Sequence, residues 1–287
     1  LAEAPTYDQA EIALQPFDPS LVTQRFHRFL FAKYSPLRLK LGILKTAHQF
    51  PSADMVDLLT SGLKNQDLLI LNGISNALLK ISKKIALDEG ALDTIEARIS
   101  AISKRAYQLY QVQNKLHDDR NAGLILDHID SDLNKVIPIL LKLGTLKKSN
   151  IPIETYIHYV KSHDPDLLPI VLELVDSTFS KKNRERTLPL IDPDSDKVQT
   201  GKDLFPDLIQ QPEDLLKFWI ENPHEWKSAI AIHYLLKKEN APVLKEIDWP
   251  KIPNAIFTKN LFNPSEQDYL NRNFLINQFP TPEKPPM

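Results

Sequence analysis

A chain of 287 residues with 42% hydrophobic and 25% charged residues has ample length for a buried core, and a formal net charge of −2 lacks the basic excess that nucleic acid requires. It contains no cysteine, which excludes disulfides, thiol catalysis and cysteine-ligated zinc. No apolar run approaches the roughly 20 residues that span a bilayer; Val136 to Leu146 is the most apolar stretch, and Lys142 interrupts it.

Glycine is scarce (7) and proline frequent (22). Most prolines sit where a helix tolerates them, in the first turn, where the missing N–H would be unpaired anyway. Asp18-Pro19, Ser35-Pro36, Asp164-Pro165 and Asn222-Pro223 each pair a capping side chain with such a proline. In chain order, the apolar spacing predicts helices over 19–33, burying Leu21, Val22, Phe26, Phe29 and Leu30, then over 36–49, 52–63 and 66–85. A long pair follows over 89–116 and 119–146, with Pro138 expected to kink its second helix. Shorter helices follow over 152–162, 165–179, 181–191, 212–221 and 223–238, with one more over 260–277. Residues 192–203 read as an acidic exposed loop, and the Pro-rich end, FPTPEKPPM, reads as an extended linker. No segment shows strand alternation.

Short connections force antiparallel neighbours, and the second helices of successive pairs resemble one another, as in 35–45, 65–75, 164–174 and 222–232. The expected fold is therefore all-α, an α-solenoid of antiparallel helical hairpins of HEAT-like type. Its expected divisions are an N-terminal linker (1–18), a repeat domain (19–241) carrying the long hairpin 89–146, and a C-terminal capping segment with linker (242–287). The chain begins with Leu1 and ends Pro-rich, so it reads as a piece with neighbours on both sides.

Signs of chemistry are sparse. His158 and His163 lie five apart, on different helix faces, and no HExxH occurs. Asp127, His128, Asp130 and Asp132 would point in several directions from one helix. The seven glycines are isolated, so no phosphate loop exists; there is no GxSxG either. No catalytic residue, cofactor or metal is expected. The aromatics Phe218, Trp219, Trp226 and Tyr234 recur at helical spacing, as core residues do, and His233 among them reads as a core or interface residue. The strongest cationic cluster is Lys181, Lys182, Arg184 and Arg186, which is either a polar helix face or a contact for an acidic partner or anionic headgroups.

Three stretches carry a family resemblance. Residues 172–192 combine a helix end at Glu173, Leu174, Val175 and Asp176 with a basic helix closing on Leu188, Pro189, Leu190 and Ile191. Residues 204–238 form a hairpin whose second helix opens with a proline and Trp226. The long hairpin 89–146 leads into 151–165. Together, residues 89–238 resemble the HEAT-repeat region of bacterial ATP/ADP-translocase-like transporters of the major facilitator type. Ser177 stands where that region has Asn, and Lys227 where Arg is usual. The resemblance implies a non-catalytic scaffolding or regulatory domain on the cytoplasmic side, tethered to the inner membrane through its parent protein. The implied partners are the flanking domains of the same polypeptide: a membrane bundle before it and a cyclic-nucleotide-binding-like domain after it. Without that context the alternative is a free-standing adaptor that binds another protein.

Overall fold

The computed structural model describes residues 14, 16–32, 35–65, 67–148, 151–162, 164–208, 211–221, 225–238, 242–249, 252, 262 and 264–274. Among these residues there are thirteen α-helices, two 3-10 turns and no strand. The chain forms two compact units. Unit 1 comprises Leu1–Tyr107 and Asp132–Phe205, and unit 2 comprises Gln108–Ser131 and Pro206–Met287. The division cuts both helices of the long hairpin, so the stretch 19–241 expected as one repeat region contributes to both units.

Unit 1 begins with two hairpins. The first is α1 (Pro19–Leu30) and α2 (Leu37–Thr46), the latter running on into the 3-10 turn η1 (Ala47–Gln49); the second is α3 (Ala53–Gly62) and α4 (Leu68–Ser82). Capping chemistry starts three of these helices. The Asp18 carboxylate accepts from Ser20 N at 2.7 Å, Ser52 Oγ accepts from Met55 N at 3.2 Å, and Asp67 accepts from Leu69 N at 2.7 Å. The helix after Ser35-Pro36 starts one residue later than expected, with Pro36 at the cap position and no side-chain cap bond.

Helix α1 packs on α2 and α3, and α4 packs on α2 and α3, so each helix touches its own partner and its counterpart in the next hairpin. The shared core contains Met55, Leu59, Leu71, Ile74, Leu78 and Ile81, all essentially inaccessible. Each such side chain contributes about 1.5–3 kcal/mol relative to exposure. On α1 the buried stripe is Val22, Phe26 and Leu30, spaced four apart. Leu21 and Phe29, expected in the core, lie one residue off that stripe, about 100° around the helix, and are exposed.

The rest of unit 1 uses the first part of α5 (Glu89–Leu116), the last part of α6 (Gly123–Gly144), α7 (Ile153–Ser162), α8 (Leu168–Thr178), α9 (Lys181–Ile191) and α10 (Lys197–Leu204). Helix α6 continues unbroken through Pro138. That proline leaves the Asn134 carbonyl without its helical donor, and Asn134 is solvent-exposed, so water can replace the bond. At Asp164-Pro165 the expected helix start is a turn: Asp164 Oδ1 accepts from Asp166 N at 2.9 Å, and α8 begins only at Leu168.

The expected loop at 192–203 is corrected by α10. Asp196 caps that helix by accepting from Gln199 N at 2.9 Å. Gly201 lets it approach Tyr107, where a Cβ would stand 3.0 Å from Tyr107 Cβ. The Tyr107 and Phe205 rings then lie 5.9 Å apart. A polar eight-residue helix shows little apolar periodicity, and its stability comes from this tertiary contact.

Unit 2 is built from the end of α5, the start of α6, α11 (Pro212–Glu221), α12 (Glu225–Lys237), the 3-10 turn η2 (Pro242–Glu246) and α13 (Pro264–Phe274). Helices α11 and α12 pack together, and Ser228 Oγ donates to the Trp219 carbonyl at 2.9 Å. Lys217 pairs with Glu246 at 2.6 Å, and the Trp249 indole donates to the Leu244 carbonyl at 3.0 Å. Of the expected capping segment 242–287, η2, α13 and a few single residues are described. The expected cap at Asn222-Pro223, most of the N-terminal linker and the closing FPTPEKPPM lie outside the described residues.

The turn between α5 and α6 is held by Asp119. Its Oδ2 accepts from the Tyr234 hydroxyl at 2.7 Å and from Lys238 Nζ at 2.8 Å, and its Oδ1 accepts from Asn121 N at 2.9 Å. The hydrogen bonds from Lys238 and Tyr234 hold its carboxyl down at about 2, while burial, foremost, pushes the Tyr234 phenol up to about 12. A carboxylate with a depressed folded-state pKa contributes stability that is complete above its unfolded value near 3.9 and fades as pH falls towards about 2. Asp119→Asn is expected to cost about 1 kcal/mol at neutral pH, because solvent screens part of the cluster. Urea melts at about pH 5 and about pH 2.5 check this: the wild-type chain should lose more stability across that window than the variant. Equal losses would detach Asp119 from acid sensitivity.

Candidate functional site

The predicted cationic cluster lies on α9, whose start is capped by Ser180. The structure does not bring its four residues onto one open face. Lys181 and Lys182 are exposed. Arg184 pairs with Asp176 at 3.1 Å. Arg186 turns inward, donating to Ser100 Oγ at 2.6 Å and stacking 5.2 Å from the Phe205 ring centre. Between them, Asn183 is buried and donates to both the Glu96 carboxylate and the Glu96 carbonyl. Ser180 Oγ donates to the same carboxylate at 2.7 Å, and Lys147 Nζ lies 3.4 Å from it. Of the four, Arg186 therefore ties α9 to α5, and Arg184 ties it to α8.

The other residues singled out from the sequence disperse similarly. Asp127 and Asp130 are exposed. Asp132 is buried against Arg105, and the His128 ring meets Trp219 edge-on at 5.7 Å. His158 lies on α7, while His163 is outside the described residues. Among the described residues, no group of three or more histidine, aspartate or glutamate side chains is placed to hold a metal ion. Trp219 and Tyr234 are core residues, Phe218 is half-buried, and Trp226 is 51% exposed. His233 is nearly buried, its Nδ1 lying 3.2 Å from a Glu266 carboxylate oxygen. Among the described residues, no helix is long and apolar enough to cross a membrane.

A hollow of about 440 Å³ opens along α2 and α4 and is edged by Glu154 of α7. Leu41, Leu44 and Lys45 come from α2; Leu69, Asn72, Gly73, Asn76, Ala77 and Lys80 come from α4. At Gly73 a Cβ would come within 2.7 Å of Leu44 Cδ1, so the Leu44 side chain packs directly on the α4 backbone. Leu69 is 42% exposed and supplies an apolar rim.

Behind the lining sits Lys142 of α6, only 5% exposed. Its ammonium donates to Asn72 Oδ1 at 3.1 Å and lies 3.5 Å from Glu154 Oε1. Burial pushes this lysine below its ordinary pKa, and Glu154 opposes that shift. An ammonium has no acceptor, so the bond fixes which way the Asn72 amide faces: Oδ1 towards Lys142, Nδ2 away from it. Among the described residues, neither Asn72 Nδ2 nor the Asn76 amide has a partner.

No family model, curated protein or solved structure matches the chain. The hollow combines an apolar wall, two amides and more cations than carboxylates. Sequence reasoning missed it because its residues are individually ordinary and spread from Leu41 to Glu154. The one signal was Lys142, the charge interrupting the most apolar run.

Proposed function

We propose that this chain is a non-catalytic helical-repeat scaffold of HEAT-like type, whose work is to bind protein surfaces and hold them in register. The observation that carries this reading is the packing of α1 to α4, in which each helix meets its own partner and the equivalent helix of the next hairpin. That arrangement lets hairpins stack by repetition, the principle of an α-solenoid. A stack of hairpins offers a long side surface and can pass on a binding event through small rotations of one hairpin against the next.

The resemblance of residues 89–238 gives the scaffold a setting. We propose that it is the cytoplasmic, membrane-tethered module of an ATP/ADP-translocase-like transporter, contacting the membrane bundle and a cyclic-nucleotide-binding-like domain. On this reading Lys181 and Lys182, the exposed pair on α9, face an acidic surface of one of those neighbours.

Calorimetric titration of the purified chain against the polypeptides encoded on either side of it in its gene tests the proposal. Saturable binding to at least one neighbour is expected, with affinity weakened about tenfold by the double charge reversal Lys181→Glu and Lys182→Glu. Absence of binding to both neighbours would overturn the transporter setting.

A further inference from the structure

We propose that the outer face of the first hairpin, α1 with the start of α2, is a docking surface for an anionic lipid bilayer. The proposal goes beyond the scaffold reading above and does not depend on it.

The sign of the charge is set in the sequence. Residues 19–53 contain six lysines and arginines and not one aspartate or glutamate, although the whole chain has 37 acidic residues and a net charge of −2. Arg25, Arg28 and Arg38 are exposed, and among the described residues none of their guanidinium groups has a hydrogen-bond or ion-pair partner. Arg184 and Arg186, by contrast, are taken up by Asp176 and Ser100. The first hairpin therefore offers three arginines that no group of the chain neutralises.

The same hairpin leaves apolar surface in water. Of the ten large apolar side chains that stand exposed among the described residues, five fall between Phe17 and Leu37. These are Phe17, Leu21, Phe29, Phe31 and Leu37, the most exposed being Phe17 at 52%. At about 100° per residue, Leu21, Arg25, Arg28 and Phe29 share one arc of about 100° on α1, beside the buried stripe of Val22, Phe26 and Leu30. Phe31 directly follows α1, and Leu37 and Arg38 open α2, so the mixture of cation and apolar side chain continues where the hairpin turns. The outer face of a terminal repeat is kept soluble by polar residues. Apolar side chains among unpaired arginines on such a face call for a surface that accepts both.

A plane of anionic headgroups over acyl chains is such a surface. Each cation held near it strengthens binding by about fivefold, so three give about a hundredfold. The leucine and phenylalanine tips then reach the boundary of the acyl chains, as the apolar side of an interfacial helix does. The contact is peripheral, because among the described residues no helix is long and apolar enough to cross a membrane. An acidic protein would also answer the arginines. A bilayer is favoured because its headgroup plane needs no matched order of side chains and takes cations and apolar tips from a helix flank and a hairpin end alike.

Co-sedimentation of the whole chain with vesicles tests the surface. One set contains equal parts of phosphatidylcholine and phosphatidylglycerol, the other phosphatidylcholine alone. Partition onto the anionic vesicles should be at least about tenfold stronger and should fall with added salt. The triple reversal Arg25→Glu, Arg28→Glu and Arg38→Glu should weaken it at least about tenfold, and Leu21→Ser with Phe29→Ser at least about fivefold. All of these positions are exposed, so helical circular dichroism and melting temperature should hold in both variants. Lys181→Glu with Lys182→Glu, on α9, should change partition by less than about twofold. Equal partition onto the two vesicle types, or unchanged partition by either hairpin variant, would overturn the surface. So would an arginine variant that loses a neighbouring polypeptide in the calorimetric experiment while the wild-type chain ignores the vesicles, since the face would then serve an acidic protein. Failure of the vesicle experiment leaves the scaffold reading standing, and failure of the calorimetric one leaves the lipid surface standing.

Discussion

Gly144→Ala is expected to destabilise the chain by about 3 kcal/mol. Gly144 is the last residue of α6, and a Cβ built there would overlap the ring of Phe179, the residue that follows α8. Phe179 is buried, so its ring cannot swing into solvent, and the overlap involves its rigid aromatic carbons and not a flexible side-chain end. The helix preference of alanine over glycine, about 1 kcal/mol in a helix interior, counts for less at a terminal residue and cannot offset such a clash. Urea denaturation followed by circular dichroism measures the loss. A double-mutant cycle identifies its cause. Phe179→Ala alone should cost about 3–5 kcal/mol, but in the Gly144→Ala background it should cost at least about 1 kcal/mol less, because the cavity accepts the new methyl. Strict additivity would rule out the Gly144–Phe179 overlap as the source.

Asp132→Ala is expected to cost about 3 kcal/mol. Asp132 is 2% exposed on α6 and lies 3.3 Å from the Arg105 guanidinium on α5. Removing the carboxylate leaves Arg105 desolvated without its counterion. A second guanidinium makes matters worse. Arg98, two turns earlier on α5, has its pKa lowered to about 10, first by burial and then by the positive charge of Arg105. Arg98 is held by donating to the Asn65 carbonyl at 2.8 Å, so it cannot withdraw without losing that bond. Replacing both partners, Arg105→Met with Asp132→Leu, should recover most of the loss, because an apolar pair of similar volume avoids the stranded charge. A cost below about 0.5 kcal/mol for Asp132→Ala would show that water reaches the site and that the ion pair is not a structural tie.

Helix positions were legible from the sequence where local chemistry is strong. The long first helix of the central hairpin, and the helices at Lys181–Ile191 and Pro212–Glu221, lie where apolar spacing and capping residues put them. Asp18 and Ser52 cap as their types require. The misses share one cause, which is that tertiary contact decides them. Leu21 and Phe29 have the side chains of core residues, but the neighbouring stripe of α1 won the interior. Helix α10 is held by Tyr107, more than ninety positions before Gly201, which no local window contains. The cationic run on α9 has the residue types of an interaction patch, yet Arg186 and Asn183 serve contacts to Ser100 and Glu96. The α2–α4 hollow was illegible for the same reason: Asn72 becomes notable only when Lys142, seventy residues later, fixes its amide.

The positions of the tryptophans have an optical consequence. The chain has three, Trp219, Trp226 and Trp249, and all belong to unit 2. Tryptophan emission therefore reports one unit only, while far-ultraviolet circular dichroism sums the helices of both. Emission from Trp219 is further coloured by the Lys227 ammonium 5.7 Å from its ring centre, and Trp226 emits from a site open to water. Gly144 and Asp132 lie in unit 1, where there is no indole to respond. A denaturation curve read from tryptophan emission and one read from ellipticity are thus records of different parts of the molecule. Any gap between them measures how far the two units unfold as one.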